Sequence, residues 1–508
     1  GLGWGYFRAA EYRAIPFATL ALNILMLALW HPVDNGTFAV SLLCFATLYA
    51  LGGYFLQWKA PRPFYWAALS VTAGFTFFAL GYAKLHDVYT MYHIWTLIAL
   101  SLATVATHMV MRVYEGFAHN HKDRNAMLAL YAGAATGFIS IGLLIEVPYE
   151  FLSVAFALQI LALCWIQNRI DIPAMRRIIT LVAVGFALLL IPQMIAVAQI
   201  SAWTLLEQKI HADRSLPLVN WPLFQLGLPA LCFMVGAILL RQKQDGRMVQ
   251  IFEITAISLL GLAGYYLTRH PLHPGENILF ITAGFGERGI ITNVIYLFGL
   301  LCIAAGRKFD RSAIINSGVT LAFLAIFRIG YFDLLTHNPL WHSSQIIAGM
   351  PVFNMLLVTY GLPVLLSAAL TRLLLPLDRP KQVALARMTM FVLAFVLLTF
   401  EVRHFFHGEI LRGGAVADAE IYAYSAVWLL FGLMLLFYGV WKKNTLVRKA
   451  SLAVVILVVG KVFLYDAAAL TGLYRVAAFF GLGVSLLGIS WFYSRFVFPA
   501  PAPVAQET

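Results

Sequence analysis

Lysine and arginine are sorted along this chain in a pattern that only a membrane-spanning fold explains. About sixteen apolar stretches are long enough to cross a bilayer, at 14–30, 37–57, 64–84, 92–112, 126–146, 149–167, 177–201, 222–241, 248–268, 289–305, 312–334, 353–375, 383–402, 420–441, 448–468 and 474–496. About twenty apolar residues cross the hydrocarbon core. Of the 35 Lys and Arg, roughly 25 fall in the N-terminal segment, in every second connection or after the last span, and about eight fall in the other connections. Only Arg328 and Lys461 lie well inside a span. Basic loops stay on the cytoplasmic side during insertion. The alternation therefore predicts cytoplasmic ends and shows which loops face out.

Hydrophobic residues make up 61% of the chain and charged residues 11%, against about 25% charged in a soluble domain. Period-two alternation in ten-residue runs is absent, which argues against a barrel. The expected fold is an all-α, polytopic integral membrane protein with about 16 transmembrane helices in hairpin-like repeats. The net charge of +12 follows from the basic inner loops and does not point to nucleic acid, although it favours anionic lipid headgroups. All four cysteines (Cys44, Cys164, Cys232, Cys302) lie in apolar spans, so no disulfide framework is expected. The chain begins at Gly1 rather than Met, and the expectation is that an N-terminal portion precedes it. Residues 498–508 read as a disordered cytoplasmic tail.

Organisation follows loop length. Residues 1–290 hold helices whose short outer loops give way to longer ones, and 291–497 form a C-terminal transmembrane region. Outer connections 202–221, 269–288, 335–352 and 403–419 are long, and long loops on a rigid scaffold are where function tends to sit. Within the C-terminal region, 297–342 and 430–475 form an apparent parallel repeat at an offset of about 133 residues. Leu297-Phe-Gly-Leu300 matches Leu430-Phe-Gly-Leu433, and Arg328-Ile-Gly-Tyr-Phe-Asp333 matches Lys461-Val-Phe-Leu-Tyr-Asp466. A recurring hairpin with a basic inner turn would explain the simpler matches. The aligned basic residue and aromatic-Asp pair favour duplication.

Four constellations carry chemistry. Glu401-Val-Arg403-His404-Phe-Phe-His407, with Glu409 and Arg412, begins at the outer end of its span. Arg403 and Arg412 suit a phosphate or carboxylate, and His404 and His407 suit acid–base work. An interfacial belt anchoring a helix end would use the same residues. The second is His337-Asn-Pro-Leu-Trp341-His342, just after Asp333. The third is Arg269-His270, His273 and Glu276, followed by Glu287 and Arg288. The fourth is the intramembrane charge: Arg328 and Lys461 each precede an acid, Asp333 and Asp466, by five positions. On an α-helix that is about 140° of rotation, so partners are expected on other spans, Glu401 among them. Arg475 joins this set as a binding candidate. The alternative there is an interhelical ion pair locking the repeats together. Spacing gives no metal motif, and no cofactor is expected. Glu253 is read as solvated near the inner end, Gln159 and Gln193 as interhelical hydrogen-bonders, and Gly133-x-x-x-Gly137 as a packing stripe. Pro192 and Pro363 are the best candidate helix breaks.

The segments Phe327–Trp341, Thr399–Gly408, Tyr422–Trp428 and Lys461–Asp466 together resemble the bacterial membrane-protein family called domain of unknown function 2339. The resemblance is strongest over 290–497. It implies a multi-pass inner-membrane protein, usually with a further hydrophobic N-terminal portion and a cytoplasmic coiled segment. It brings no established reaction. The favoured expectation is action at the periplasmic face on a lipid-linked or envelope substrate, a glycan or acyl group. His404, His407, His337 and Asp333 are the catalytic candidates. Arg403, Arg412, Arg328, Lys461, Asp466, Arg475, Trp341 and His342 are the binding candidates. The alternatives are a transporter or flippase for an anionic solute or lipid, and a scaffold docking a protein partner through its outer loops. Membrane lipids are the expected partners in every case.

Overall fold

The computed structural model describes residues 14–31, 34–87, 92–118, 121–169, 174–206, 223–272, 284–342, 345–466 and 473–492. Among them stand sixteen α-helices, one for each expected span. The first eight are α1 (Ala14–Leu29), α2 (Asn35–Gln57), α3 (Pro63–Leu85), α4 (Tyr92–Gly116), α5 (Arg124–Glu146), α6 (Tyr149–Arg169), α7 (Met175–Leu206) and α8 (Leu228–Lys243). The others are α9 (Arg247–Arg269), α10 (Phe285–Lys308), α11 (Ser312–Arg328), α12 (Leu362–Leu374), α13 (Pro380–His407), α14 (Asp418–Trp441), α15 (Thr445–Lys461) and α16 (Leu473–Phe492). Thirteen helical segments among the described residues are long and apolar enough to cross a membrane, and α1, at 16 residues, is a shorter apolar helix. The chain is an all-α polytopic membrane protein.

Two compact units divide it, residues 1–199 with 215–263, and residues 200–214 with 264–508. The charged end of α9 groups with the C-terminal helices. In the first unit an apolar cluster of Leu20, Leu27, Phe38, Phe77, Trp95 and Phe138 joins α1 to α5. Asp34 caps α2 by accepting from the Gly36 and Thr37 backbone N–H groups; those bonds and the Thr37 hydroxyl hold its carboxyl below the usual range. Gln159 links α6 to α5 through the Thr136 carbonyl and the Ser140 hydroxyl. Glu253 is buried at 5% exposure, not solvated. Of the proposed glycine stripe, Gly137 meets the Phe75 ring while Gly133 faces open space. Pro192 sits inside the continuous helix α7, and the Gln193 side chain lies outside the described residues.

In the second unit, two helical hairpins share one plan. α10 and α14 have 24 residues each, α11 and α15 have 17 each, and all begin and end 133 positions apart. The turns of both hairpins use a non-glycine residue at positive φ, Asp310 at 52° and Lys443 at 50°. Each turn closes with an N–H returning to a glycine carbonyl, Arg311 to Gly306 at 2.7 Å and Asn444 to Gly439 at 2.9 Å. A Cβ at Gly306 would lie 2.7 Å from Ile315 N, and one at Gly439 would lie 3.0 Å from Arg448 N. Only glycine lets the second helix start so close to the first.

Both hairpins then change helix type. π-helix follows α11 at Ile329–Thr336 and α15 at Val462–Asp466, and another, Leu357–Gly361, leads into α12 just ahead of Pro363. A π-helix bonds i to i+5, so residues five apart come nearly one above the other. The 140° separation expected of Arg328 and Asp333 therefore does not hold. The all-α expectation also missed a small antiparallel hairpin, β1 (Gly349–Met350) and β2 (Phe353–Asn354), at the expected start of a span.

Candidate functional site

Polar side chains collect where α9 ends, α10 begins, the first π-helix lies and the 337–356 segment follows. Arg269 and Glu287 are nearly inaccessible, and Arg269 Nε donates to Glu287 Oε1 at 2.6 Å. Arg269 also donates to the Tyr265 hydroxyl one turn back, at 3.2 Å. Arg288, next to Glu287, points to Asp333: Nε donates to Oδ1 at 3.0 Å, both side chains being 2% exposed or less. Its Nη2 donates to Gln345 Oε1 at 2.8 Å. The Tyr360 hydroxyl, 2.8 Å away, donates to the Asp333 backbone carbonyl. Four segments distant in sequence thus meet around the buried Arg288–Asp333 pair.

Two groups there are incompletely matched among the described residues. Asp333 Oδ2 is buried without a hydrogen-bond partner among the described residues. Arg328 ends α11 with one long contact, 3.5 Å to Thr292 Oγ1, and lies over the Phe332 ring at 5.1 Å. No carboxylate pairs with it among the described residues, yet Asp333, Arg288 and Arg269 are all within its electrostatic reach. Among the described residues, three guanidiniums stand beside two carboxylates. Burying charge is costly unless it is paired, and Arg328 is the guanidinium with no carboxylate partner among those residues. His337 is buried beside Phe332, its ring parallel at 6.5 Å, and the His342 ring is 5.7 Å from it. Trp341 is half exposed, and its indole donates to the Leu335 carbonyl.

A second centre stands at the end of α13. Glu420, fully buried, accepts from Arg403 Nη1 at 2.8 Å and from the Tyr424 hydroxyl at 3.0 Å, and its other oxygen lies 2.8 Å from His407 Nε2. Arg403 also donates to the Leu411 and Gly413 carbonyls at 3.0 and 2.6 Å. This guanidinium ties down its own loop. His404 is buried with Nδ1 3.5 Å from Asn354 Nδ2 and Nε2 without a partner among the described residues. Lys461 donates to the Ile421 carbonyl and, at 2.7 Å, to Ser425 Oγ. Glu401 accepts from Val352 N and Asn354 Nδ2, both at 3.0 Å, so the expected pairing of Arg328 or Lys461 with Glu401 is replaced by these contacts. Arg412 is exposed on the loop. The side chains of Asp466 and Arg475 lie outside the described residues.

The structure thus brings Asp333, Arg328, His337 and His342 into one neighbourhood, and Arg403 and His407 into another. Phe400 and Tyr360 pack between them, rings 5.4 Å apart, in an apolar cluster with Leu411 and Ile347. Glu420 escaped the sequence reading. The 133-residue offset points to it, because it is the counterpart of Glu287. Thr292 and Ser425, the hydroxyls met by Arg328 and Lys461, are counterparts as well. Two apolar grooves in the first unit, of about 620 and 550 Å³, contain none of these residues.

This geometry defines a multi-pass helical membrane protein with buried charge centres at one end of its C-terminal helices. A model of the predicted membrane protein family DUF2339 matches residues 1–496, and the chain belongs to that family. No curated protein and no solved structure matches it.

Proposed function

We propose that the first centre binds the anionic headgroup of a lipid-linked substrate at the periplasmic face of the inner membrane, with Arg328, Arg288 and Arg269 as the cationic wall. The observation that carries this is Arg328, largely buried and without a carboxylate partner among the described residues, beside two arginines already joined to acids. Arginine suits phosphate and carboxylate groups because its planar donors match their oxygens. Intramembrane charge is costly and tends to mark function. His337 stands near Asp333, with the His342 ring beside it, where acid–base chemistry on a bound glycan or acyl group would occur. Both chain ends are cytoplasmic in this reading, which rests on the alternation of basic loops. His404 and His407 belong to the second centre and play a supporting part.

A transporter or flippase is the second reading. It is favoured by the equal hairpins 133 residues apart, consistent with a parallel duplication, and by the π-helices that interrupt their spans beside Arg328 and Lys461. The test is binding of a polyprenyl phosphate and of phosphatidylglycerol to the full chain in phosphatidylcholine nanodiscs. The wild type is expected to bind the polyprenyl phosphate, and Arg328→Gln to weaken it about tenfold or more, the worth of one charged hydrogen bond. Equal binding by both proteins would remove the reading. Movement of the bound lipid between leaflets of sealed vesicles would favour the flippase over the enzyme.

A further inference from the structure

We propose that the 346–353 hairpin is a lipid-inserted finger, seated among the acyl chains of the leaflet next to the charge centres and latched from below by Glu401. The segment Gln345-Ile-Ile-Ala-Gly-Met-Pro-Val-Phe-Asn-Met-Leu356 contains no charged residue. Its apolar side chains divide into two sets. Ile347 and Leu356 are wholly buried in the cluster with Phe400 and Leu411, and they anchor the base. Ile346, Met350, Val352 and Phe353 project outward, 59%, 73%, 57% and 76% exposed. Isolated exposed apolar residues are ordinary, but a contiguous group marks a surface that meets something apolar.

The occupant is lipid because of where the finger stands. The Ile347 N–H donates to the Glu409 carbonyl, two residues beyond the end of α13. The finger therefore lies level with Phe405 and Phe406, which are exposed on the last turn of that membrane-crossing helix. Exposed Trp341 belongs to the same end. Aromatic residues collect at this depth where hydrocarbon meets headgroups. The finger continues the lipid-facing surface of α13, with no charge to hold it in water.

Its conformation is imposed. Val352 has φ 75°, a region that a β-branched residue rarely enters. Gly349, at φ 119°, leaves no room for a Cβ, which would fall 2.6 Å from the Phe353 carbonyl. Glu401 Oε2 accepts both the Val352 N–H and the Asn354 amide, so one carboxylate holds the strained turn. Asn354 Oδ1 accepts from Leu356 N and joins the finger to the helix that follows. The inference does not depend on the anion site. A water-facing finger would leave that proposal standing, and a failed anion site would leave the finger.

Spin labels test it. Single cysteines replace Met350, Phe353 and, as an aqueous reference on the exposed 412–419 loop, Ala415. Cys44 is changed to Ser, because Cys164, Cys232 and Cys302 are buried. In reconstituted vesicles, labels at 350 and 353 are expected to collide with oxygen more than with an aqueous nickel chelate, and the label at 415 to show the opposite. Greater chelate access at 350 and 353 would overturn the proposal. So would protection from both agents, which would mean a second copy or another protein covers the finger. Glu401→Gln in the Met350 background is expected to increase label mobility at 350 and leave 415 unchanged. Unchanged mobility at 350 would eliminate the latch.

Discussion

The Glu287 and Glu420 centres occupy corresponding places, yet they are built differently. Each has an acid near the start of a 24-residue helix, an arginine from the end of the preceding helix and a basic residue at an α-to-π junction that reaches a hydroxyl. In the Glu420 centre the partners are near in sequence, because Arg403, His407, Leu411, Gly413, Glu420 and Tyr424 lie within one helix end, one loop and one helix start. In the Glu287 centre, Arg288, Asp333, Gln345 and Tyr360 come from four segments. A local cluster orders a loop at little entropic cost. A dispersed one is costly to assemble and holds together only if the surrounding helices are already in place. The comparison teaches that equivalent positions can form a loop staple in one hairpin and a buried, arginine-rich cluster drawn from distant segments in the other.

The largest expected effect is at Arg288. Arg288→Ala leaves buried Asp333 without its guanidinium, and breaking a buried pair costs about 3–5 kcal/mol. Thermal unfolding in detergent should show a steep fall in midpoint or loss of folded protein, and a midpoint near wild type would break the contrast. Arg403→Ala should cost less, about 1.5–3 kcal/mol for hydrogen bonds to a charged group, because His407 and Tyr424 still serve Glu420. Its effect should be local, appearing as faster hydrogen exchange over 408–417. Exchange spreading to 330–345 would show that the two centres are one. Topology sharpens both. An impermeant maleimide should reach Ala415→Cys in intact spheroplasts and Lys442→Cys only after permeabilisation, and the reverse would put the charge centres on the cytoplasmic side. Smallest is Arg328→Gln, which should leave the unfolding midpoint almost unchanged, since the side chain makes one long 3.5 Å hydrogen bond and lies over the Phe332 ring.

Periodicity and loop charge made the helices legible: each of the sixteen apolar stretches coincides with a helix. The offset between Arg328-Ile-Gly-Tyr-Phe-Asp333 and Lys461-Val-Phe-Leu-Tyr-Asp466 was also readable, and its consequence for Glu420 only needed the same arithmetic one helix earlier. The π-helices were not readable, because a change from i→i+4 to i→i+5 bonding leaves the apolar alphabet untouched. That is why Arg328 and Asp333 were placed on different faces. The pairing of Arg288 with Asp333 was hidden by 45 residues of separation, and neither residue's neighbours name the other. The hairpin around Val352 was split between the outer loop 335–352 and the span from 353, because its strands are only two residues long.

The most direct measurement is retention of an added polyprenyl phosphate by the purified full chain, followed by native mass spectrometry for wild type, Arg328→Gln and Lys461→Gln. The anion-site proposal for the Glu287 centre predicts that wild type and Lys461→Gln retain the lipid to within about twofold, while Arg328→Gln loses it about tenfold or more. Equal loss in both variants, or no loss in either, would contradict the distinction between the two centres.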